Sequence, residues 1–563
     1  MKANVWIAKF LADKGITDVF GIPGVVVMDL LYGFDSEKPK ITPHLNYHEQ
    51  GASFAACGYA QATGKLGVAY ATRGPGFTNM LTAMADAYYD ATPTMFFTAH
   101  SQTDLDPDMR VLNNQEIDTV ALARPVTKRA VRINDIRSLC DELAECYELA
   151  TTGRKGPVFL DILSSVFTQE IPEDKTIDLT QTHTRDLPML QNDAECIAEM
   201  VQHSKRPVIL VGNGARYDND SKLICCLAEK FNIPILSSRT AQDIVAGDMY
   251  YGFIGSRATR QSNFILSKAD LILALGNRMS FPINSKSFRP VVESTHTIRI
   301  DIDEAEFRRD VPNSTNFHYA LGEILPYLLK QNLHYYEAEK WIEVCNKIQK
   351  KLKSWDESPV IRTIMGVIQM TTEDMALVCD VGNHSFWVTT AYSYAECRNR
   401  ILYSGSFGAL GCALPKAIGA CYSTGRPCVC FTGDQGLQMN IQELQFLAQH
   451  KLPVTIVLLN NQSSGMIMER EAARYGNYFV HTTMDSGYSF PNYKLVAEAY
   501  GLRYYAVEAG SHNFDFSMEA GPMMIEVLID PSTSLYPMLP QGKPCQDLFP
   551  YLPRDLYEKI NQL

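Results

Sequence analysis

No apolar run in this chain approaches the ~20 residues that a membrane-crossing helix needs, which argues against a helical membrane protein. The amino terminus, MKANVWIAKFLADKG, is too polar for a secretory signal. It reads as an amphipathic helix with Val5, Ile7, Phe10 and Leu11 on the core side. Basic charge is not in excess: 51 Lys and Arg face 63 Asp and Glu, a net charge of −12. That argues against nucleic acid as a partner. It leaves an anionic small substrate open, because local charge decides that. Metal-type cysteine spacing is also missing. The closest pairs among the 14 cysteines, Cys225–Cys226 and Cys428–Cys430, do not suit zinc. Buried thiols in a reducing, cytoplasmic setting are the expectation. No short repeat, low-complexity segment or heptad run stands out.

What is present is an alternation of strand-like and helical patterns, which predicts parallel α/β domains. At roughly 100–200 residues per domain, 563 residues suggest about three. The first carries GVAYAT (67–72), the turn GPGFTN (74–79), a helix with Leu81, Met84 and Ala85, TMFFTA (94–99) and GPVFLDIL (156–163). A polar stretch near 170–190 reads as a linker. The second runs through RPVILVGNG (206–214), ADLILALGNR (269–278) and HTIRIDID (296–303). A charged helical segment near 333–356 leads to the third, with ALVCDVGNH (376–384), PCVCFTGDQG (427–436) and PVTIVLLNN (453–461). The expected boundaries are 1–170, 190–332 and 357–563, and the three units share one α/β architecture.

The segment 427–461 carries the most chemistry. The strand CVCFT ends in Gly433-Asp434-Gln435-Gly436. A helix NIQELQFLAQH follows, with Ile441, Leu444, Leu447 and Ala448 on one face. The apolar strand VTIVLL then ends in Asn460-Asn461. In a parallel sheet both polar ends fall at the carboxyl edge, where such sheets bind ligands. One carboxylate and one amide oxygen suit a magnesium ion that shares its octahedron with diphosphate oxygens. Gly433 and Gly436 let backbone N–H groups approach a diphosphate. A plain β-turn-α, with Asp434 capping a helix and Asn-Asn as a turn, would use the same residues. The second Asn after a buried strand favours the metal.

GDQGLQMNIQELQFLAQHKLPVTIVLLNNQSSGM (433–466) resembles the thiamine-diphosphate motif of the acetohydroxyacid synthase and pyruvate oxidase family. The resemblance extends through FGIPG (20–24), NYHEQGASFAACGYAQATGK (46–65), TRGPGFTN (72–79), GPVFLDI (156–162) and GSFGALGCALPKAIGA (405–420). It implies three α/β domains that bind the pyrimidine, a nucleotide and the diphosphate. It implies thiamine diphosphate and Mg2+ as cofactors, with Asp434, Asn461 and the Ser463 carbonyl as metal ligands. Gly382, Asn383 and His384 match a Gly-Gln-His stretch that touches the diphosphate. Pro75, Asn79, Gly433, Gln435, Gly436, Gly465 and Met466 fall beside the cofactor, although many members have Gly where this chain has Gln435.

The same resemblance assigns the switch. Thiamine acts as an ylid and electron sink, and its own 4′-amino group is the base. That group becomes basic when a carboxyl group hydrogen-bonds N1′. Glu49 in the HEQGA segment is the matching residue; a helix-start Glu favoured by the macrodipole is the plainer reading. Leu410 matches the residue that bends the cofactor, and the Gly408 carbonyl would accept from the 4′-amino group. The cofactor bridges two subunits in the family, so a homodimer or homotetramer is implied. RPVILVGNGAR and RIDIDEAEF resemble the central domain, and IGSRATRQSNFILSKADLILALGNR matches its flavin-containing branch, so FAD is expected there. A tight βα turn explains Gly212 and Gly214 equally well.

All relatives decarboxylate a 2-keto acid, usually pyruvate, and differ in what traps the resulting two-carbon unit. Decarboxylases use an Asp after the first GxPG turn and a His-His pair. Here those positions read Val25 and Asn113-Asn114, which favours carboligation. His44, His48 and His100 could contribute protons, but packing or surface roles are the plainer reading. Gln115 keeps the family's catalytic Gln, but the Phe before it is Asn114, the acceptor-binding Arg falls at Pro282 and the Trp at Arg470. Losing an Arg–carboxylate pair removes about 1.5–3 kcal/mol of charge-assisted binding. The expectation is a carboligase that joins pyruvate's two-carbon unit to a ketone, an aldehyde or a keto-sugar, similar to yersiniose-type carboligases. Acetolactate synthase, pyruvate oxidase and a non-catalytic cofactor-binding relative are the rivals.

Overall fold

The computed structural model describes every residue except 102–108, 111–112, 172–186, 218–219, 336, 354, 513, 516 and 519–520. Most of the polar stretch at 170–190 therefore lies outside the described residues. The described residues form three six-stranded sheets, parallel throughout. The first holds β1 (Asp18–Gly21), β2 (Thr42–Leu45), β3 (Gly67–Tyr70), β4 (Thr94–His100), β5 (Arg129–Ile133) and β6 (Pro157–Leu163). The second holds β7 (Pro207–Val211), β8 (Ile235–Ser237), β9 (Tyr250–Phe253), β10 (Leu271–Leu275), β11 (His296–Asp301) and β12 (Ser314–His318). The third holds β13 (Ala376–Cys379), β14 (Ile401–Leu402), β15 (Cys428–Gly433), β16 (Val454–Asn460), β17 (Arg503–Glu508) and β18 (Met523–Leu528).

Strand order qualifies the expectation of one shared architecture. The first sheet runs β2-β1-β3-β4-β6-β5 and the third β14-β13-β15-β16-β18-β17, the same pattern. The second runs β12-β11-β10-β7-β8-β9, the doubly wound order of a dinucleotide-binding sheet. Central strands such as β15 and β16 are buried at every position, because helices cover both faces of a parallel sheet.

The chain divides into two compact units. Residues 1–181, 371–385 and 399–533 form the first, which contains the first and third sheets. Its shared core joins helix Glu49–Thr63 to helix Ala413–Thr424. The two cross so closely that a Cβ on Gly58 or Gly419 would enter the other helix's backbone. Residues 182–370, 386–398 and 534–563 form the second unit around the second sheet. There the charged segment near 333–356 forms helix Ala338–Leu352, and Trp341 Nε1 donates to the Pro207 carbonyl at 2.9 Å.

Two expected helices differ in detail. The first spans Ala3–Asp13 and buries Ala3, Asn4, Ile7, Ala8 and Leu11, while Val5 and Phe10 are only half-buried. Phe10 instead stacks on Trp6 and meets Tyr147 edge-on. The helix expected from Asn440 already begins at Asp434, breaks at Asn440 and a short 3-10 turn, and resumes as Leu444–His450. Ile441 and Ala448 are half-buried, and Phe446 shares the core face with Leu444 and Leu447. Among the described residues no helix is long and apolar enough to cross a membrane.

Candidate functional site

Sheet register brings the acid and the amide together. Gly433 at the end of β15 pairs with Leu459 of β16, so Asp434 and Asn461 leave neighbouring strands at the same edge. Asn460 is consumed structurally: its Nδ2 donates to Glu526 at 2.6 Å and its Oδ1 accepts from Gln462 N at 3.1 Å. Asn461 Nδ2 donates to Ser463 Oγ at 3.0 Å, which turns the amide oxygen the other way. The Ser463 backbone N–H also points to Asp434.

Around this pair stand Gly382, Asn383 and His384, at the carboxyl end of β13. His384 packs on Gly433 and Gly382, where a Cβ would come within 2.9 Å of its ring. Asn383 and Gly465 each begin a helix, Asn383–Ala395 and Gly465–Tyr475, and they touch. Two helix N-termini thus present N–H groups to one spot, a natural place for an anion.

Three buried polar atoms here have no hydrogen-bond partner: Asp434 Oδ2, Asn383 Oδ1 and His384 Nε2. Leaving one such atom unsatisfied costs about 1–3 kcal/mol. Burial pushes the Asp434 carboxyl up to about 6, and it pulls His384 down to about 4, which leaves the ring neutral at pH 7. A buried carboxylate wants a cation, and the donor set is all oxygen, which suits a hard divalent ion. No group of three His, Cys, Asp or Glu side chains among the described residues makes a metal cage. Diphosphate oxygens would complete the shell. The residues present therefore fit a divalent cation with a diphosphate. Gln435 is exposed, and its N–H donates to Asp434 Oδ1 at 3.0 Å, so it does not crowd the loop. Gly436 is buried against Asp380 and Thr432, and Met466 is half-buried in the first turn of its helix.

Glu49 opens helix Glu49–Thr63, which His48 caps by accepting from Gln50 N at 3.1 Å. It is half-buried, and its Oε2 accepts from Asn79 Nδ2 at 2.9 Å. Its Oε1 lies against Gly76, in the turn that also holds exposed Pro75. The neighbouring Gly74 packs under Gln115, whose φ of +62° is rare for a non-glycine and marks a held conformation. Glu116 holds it there: its Oε1 accepts from Ser101 N at 2.7 Å and from Arg73 Nη1 at 3.0 Å. Glu49, Asn79, Pro75 and Gln115 thus form one cluster at the carboxyl edge of the first sheet.

Leu410 is half-buried, and Gly408 is exposed with φ +75°. Their loop is tied at both ends. Gly411 N donates to Asp380 Oδ1 at 2.8 Å; Gly405 N and Ser406 N donate to Asp90 at 2.6 and 3.0 Å. Asp380 escaped the sequence reading, although an Asp ending a strand at the ligand edge is a usable signal.

Val25 is 88 % exposed after the GIPG turn, Asn114 and Arg470 are exposed, and Pro282 is half-buried in the second unit. His44 pairs with Asp18 at 2.7 Å, and His100 Nε2 bonds Asn134 Oδ1 at 2.7 Å, so both have structural partners. In the second unit Gly212 and Gly214 pack on Gly276, where any Cβ would strike backbone. Close packing of two βα turns accounts for them. Arg260 of the flavin-like segment is spent on Asp356 and the carbonyls of Leu548 and Pro550.

Comparison with known proteins agrees with the three sheets. Residues 1–122 match the family model "Thiamine pyrophosphate enzyme, N-terminal TPP binding domain". Residues 194–328 match the central domain of the same enzymes. Residues 380–527 match their C-terminal TPP binding domain. The acetolactate synthase large subunit of Lactococcus lactis is 31% identical over 554 residues, covering 95% of this chain and 94% of that protein. Acetolactate synthase isozyme 1 large subunit of Escherichia coli is 30% identical, covering 95% of each. A probable acetolactate synthase large subunit of Methanocaldococcus jannaschii is 30% identical, covering 96% and 94%. Matches of this extent, over a fold with a diphosphate-type edge, place the chain: it belongs to the thiamine pyrophosphate-dependent, acetolactate synthase-like enzyme family.

Proposed function

We propose that the chain is a carboligase that decarboxylates a 2-keto acid of the pyruvate type and transfers the two-carbon unit to a carbonyl acceptor, a ketone, aldehyde or keto-sugar. The observation that carries the cofactor half is the set of partnerless buried atoms on Asp434, Asn383 and His384. When bound, thiamine diphosphate supplies a nucleophilic carbon and an electron sink. Asp434, Asn461 and the Ser463 carbonyl would hold Mg2+, and the helix starts at Asn383 and Gly465 would face the diphosphate. Glu49 would hold the proton at N1′, the Gly408 carbonyl would accept from the 4′-amino group, and Leu410 would pack against the bound cofactor. Gln115, exposed beside Gly74, would face the substrate. The division into 1–170, 190–332 and 357–563 is part of this reading, as is a homo-oligomer with the site between subunits.

For the acceptor, the support is what the chain has at four positions. Val25, Asn114, Pro282 and Arg470 replace a proton donor, an aromatic wall and a keto-acid clamp. The names of the relatives favour a second reading, condensation of two pyruvates to acetolactate. Pyruvate given alone and then with a panel of ketones and keto-sugars, with products read by mass, separates them. The proposal expects a two-carbon adduct of one added ketone to dominate. Acetolactate from pyruvate alone, formed as fast as any adduct, would overturn it. FAD in the central domain rests on the resemblance of 254–278, and purified protein without a flavin absorption band removes it.

A further inference from the structure

Glu443 sits in the short turn Ile441–Glu443, between the helices that follow β15. Its carboxylate is fully buried. Every donor it meets comes from one place. Asn46 Nδ2 donates to Oε2 at 2.9 Å and Tyr47 N donates to Oε1 at 3.0 Å, with His48 N aimed at the same group. These three residues immediately precede Glu49. Gly51, in the first turn of the next helix, has no room for a Cβ because Glu443 Oε1 occupies it. Three residues earlier, Asn440 Nδ2 donates to Gln50 Oε1 at 3.2 Å and to the Gly411 carbonyl at 2.8 Å. Residues 440–443 thus hold both flanks of Glu49.

Among the described residues no cationic side chain pairs with Glu443. Burial pushes its carboxyl up to about 7, against the donors that favour the anion. A buried, unpaired acid is a costly way to join two segments, and an apolar contact would join them more cheaply. The acid earns its place only if it holds something in a defined position. What it holds is the backbone of the helix start that carries Glu49; the Glu49 carboxylate itself is held by Asn79.

We propose that Glu443, assisted by Asn440, is a positioning residue that fixes the 46–48 segment and so sets where the Glu49 carboxylate stands. The inference rests on the role proposed for Glu49. It also ties two functions through one piece of chain, since residues 434–443 begin at the candidate metal ligand and end at the grip on Glu49.

Glu443→Gln tests it, because the amide keeps the shape but turns an N–H2 toward donors. Three quantities are measured: thiamine diphosphate affinity with Mg2+, deuterium exchange at cofactor C2, and amide exchange over 44–56 in the cofactor-free chain. Affinity is expected within about threefold of the parent, since Glu443 touches none of the cofactor residues. C2 exchange is expected to slow about tenfold or more, and amides 47–50 to lose protection. In a Glu49→Gln background the second change is expected to add nothing, because both act through one group. Asn46→Ala removes one donor and is expected to move the same readouts less, and it serves if Glu443→Gln does not fold. Unchanged C2 exchange, or an equal further loss in the Glu49→Gln background, overturns the proposal. If the parent binds no cofactor, or Glu49→Gln exchanges at the parent rate, the reading of Glu49 fails instead. Unchanged protection of amides 47–50 would then still overturn the grip.

Discussion

Glu49→Gln is expected to lower turnover by about 10²–10⁴-fold while leaving cofactor affinity nearly unchanged. The side chain keeps its size, so Asn79 and Gly76 still have a partner of the right shape. In the role proposed for Glu49, what is lost is the carboxyl group that would meet N1′, and with it the basicity of the 4′-amino group. Nothing in the Asp434 cluster changes. The loss should fall on kcat rather than on KM, because an interaction made only along the reaction is removed. Steady-state decarboxylation with a parallel cofactor titration checks it. A variant at parental rate would remove Glu49 from the mechanism.

Lys416→Met is expected to cost about 3–5 kcal/mol of stability, because it leaves the Asp86 carboxylate buried without its partner. Both side chains are 0 % exposed and stand 2.7 Å apart. Lys416 Nζ also donates to the Tyr403 carbonyl at 3.0 Å, and Ser404 Oγ donates to Asp86. Burial pulls the ammonium down, but Asp86 together with Cys412, Cys57 and Asp90 more than offsets it and holds Lys416 above its ordinary value. A raised lysine contributes fully below the unfolded value of about 10.4 and loses its contribution as pH rises through the folded value. Lys416 is therefore charged throughout the neutral range, and its contribution is constant there. Urea unfolding near pH 7 should show the midpoint fall, and Lys416→Met with Asp86→Leu should recover part of it. The pair also reaches the site. Ser404 Oγ accepts from Ala409 N at 2.8 Å, next to Leu410, so the variant should loosen the Leu410 loop as well.

Most of this architecture was readable where the chain is apolar. CVCFT and VTIVLL are buried at every position of central strands, so their pattern and their polar ends could be read directly. The edge strands could not. β5 (RAVRI) and β17 (RYYAVE) are half exposed and carry charge, and β14 is two residues long. Strand order is a tertiary property, so the different winding of the central sheet left no trace in local pattern. The break at Asn440 was hidden because the following residues are good helix formers, while the reason for the break is a pair of hydrogen bonds to Gln50 and Gly411. Glu443 was hidden for the same reason: its partner Asn46 is 397 residues away in sequence. Gly212 and Gly214 were legible as a turn, and only the packing on Gly276 explains why both are glycine.

Metal-dependent cofactor binding at the Asp434 edge is the property on which the proposed function depends. Titration of thiamine diphosphate into the purified chain by calorimetry, with Mg2+ and then with excess chelator, tests this most directly. The prediction is saturable binding of one cofactor per chain with Mg2+, lost on chelation and lost in Asp434→Ala. Binding that survives both the chelator and the substitution, or no binding at all, would contradict it.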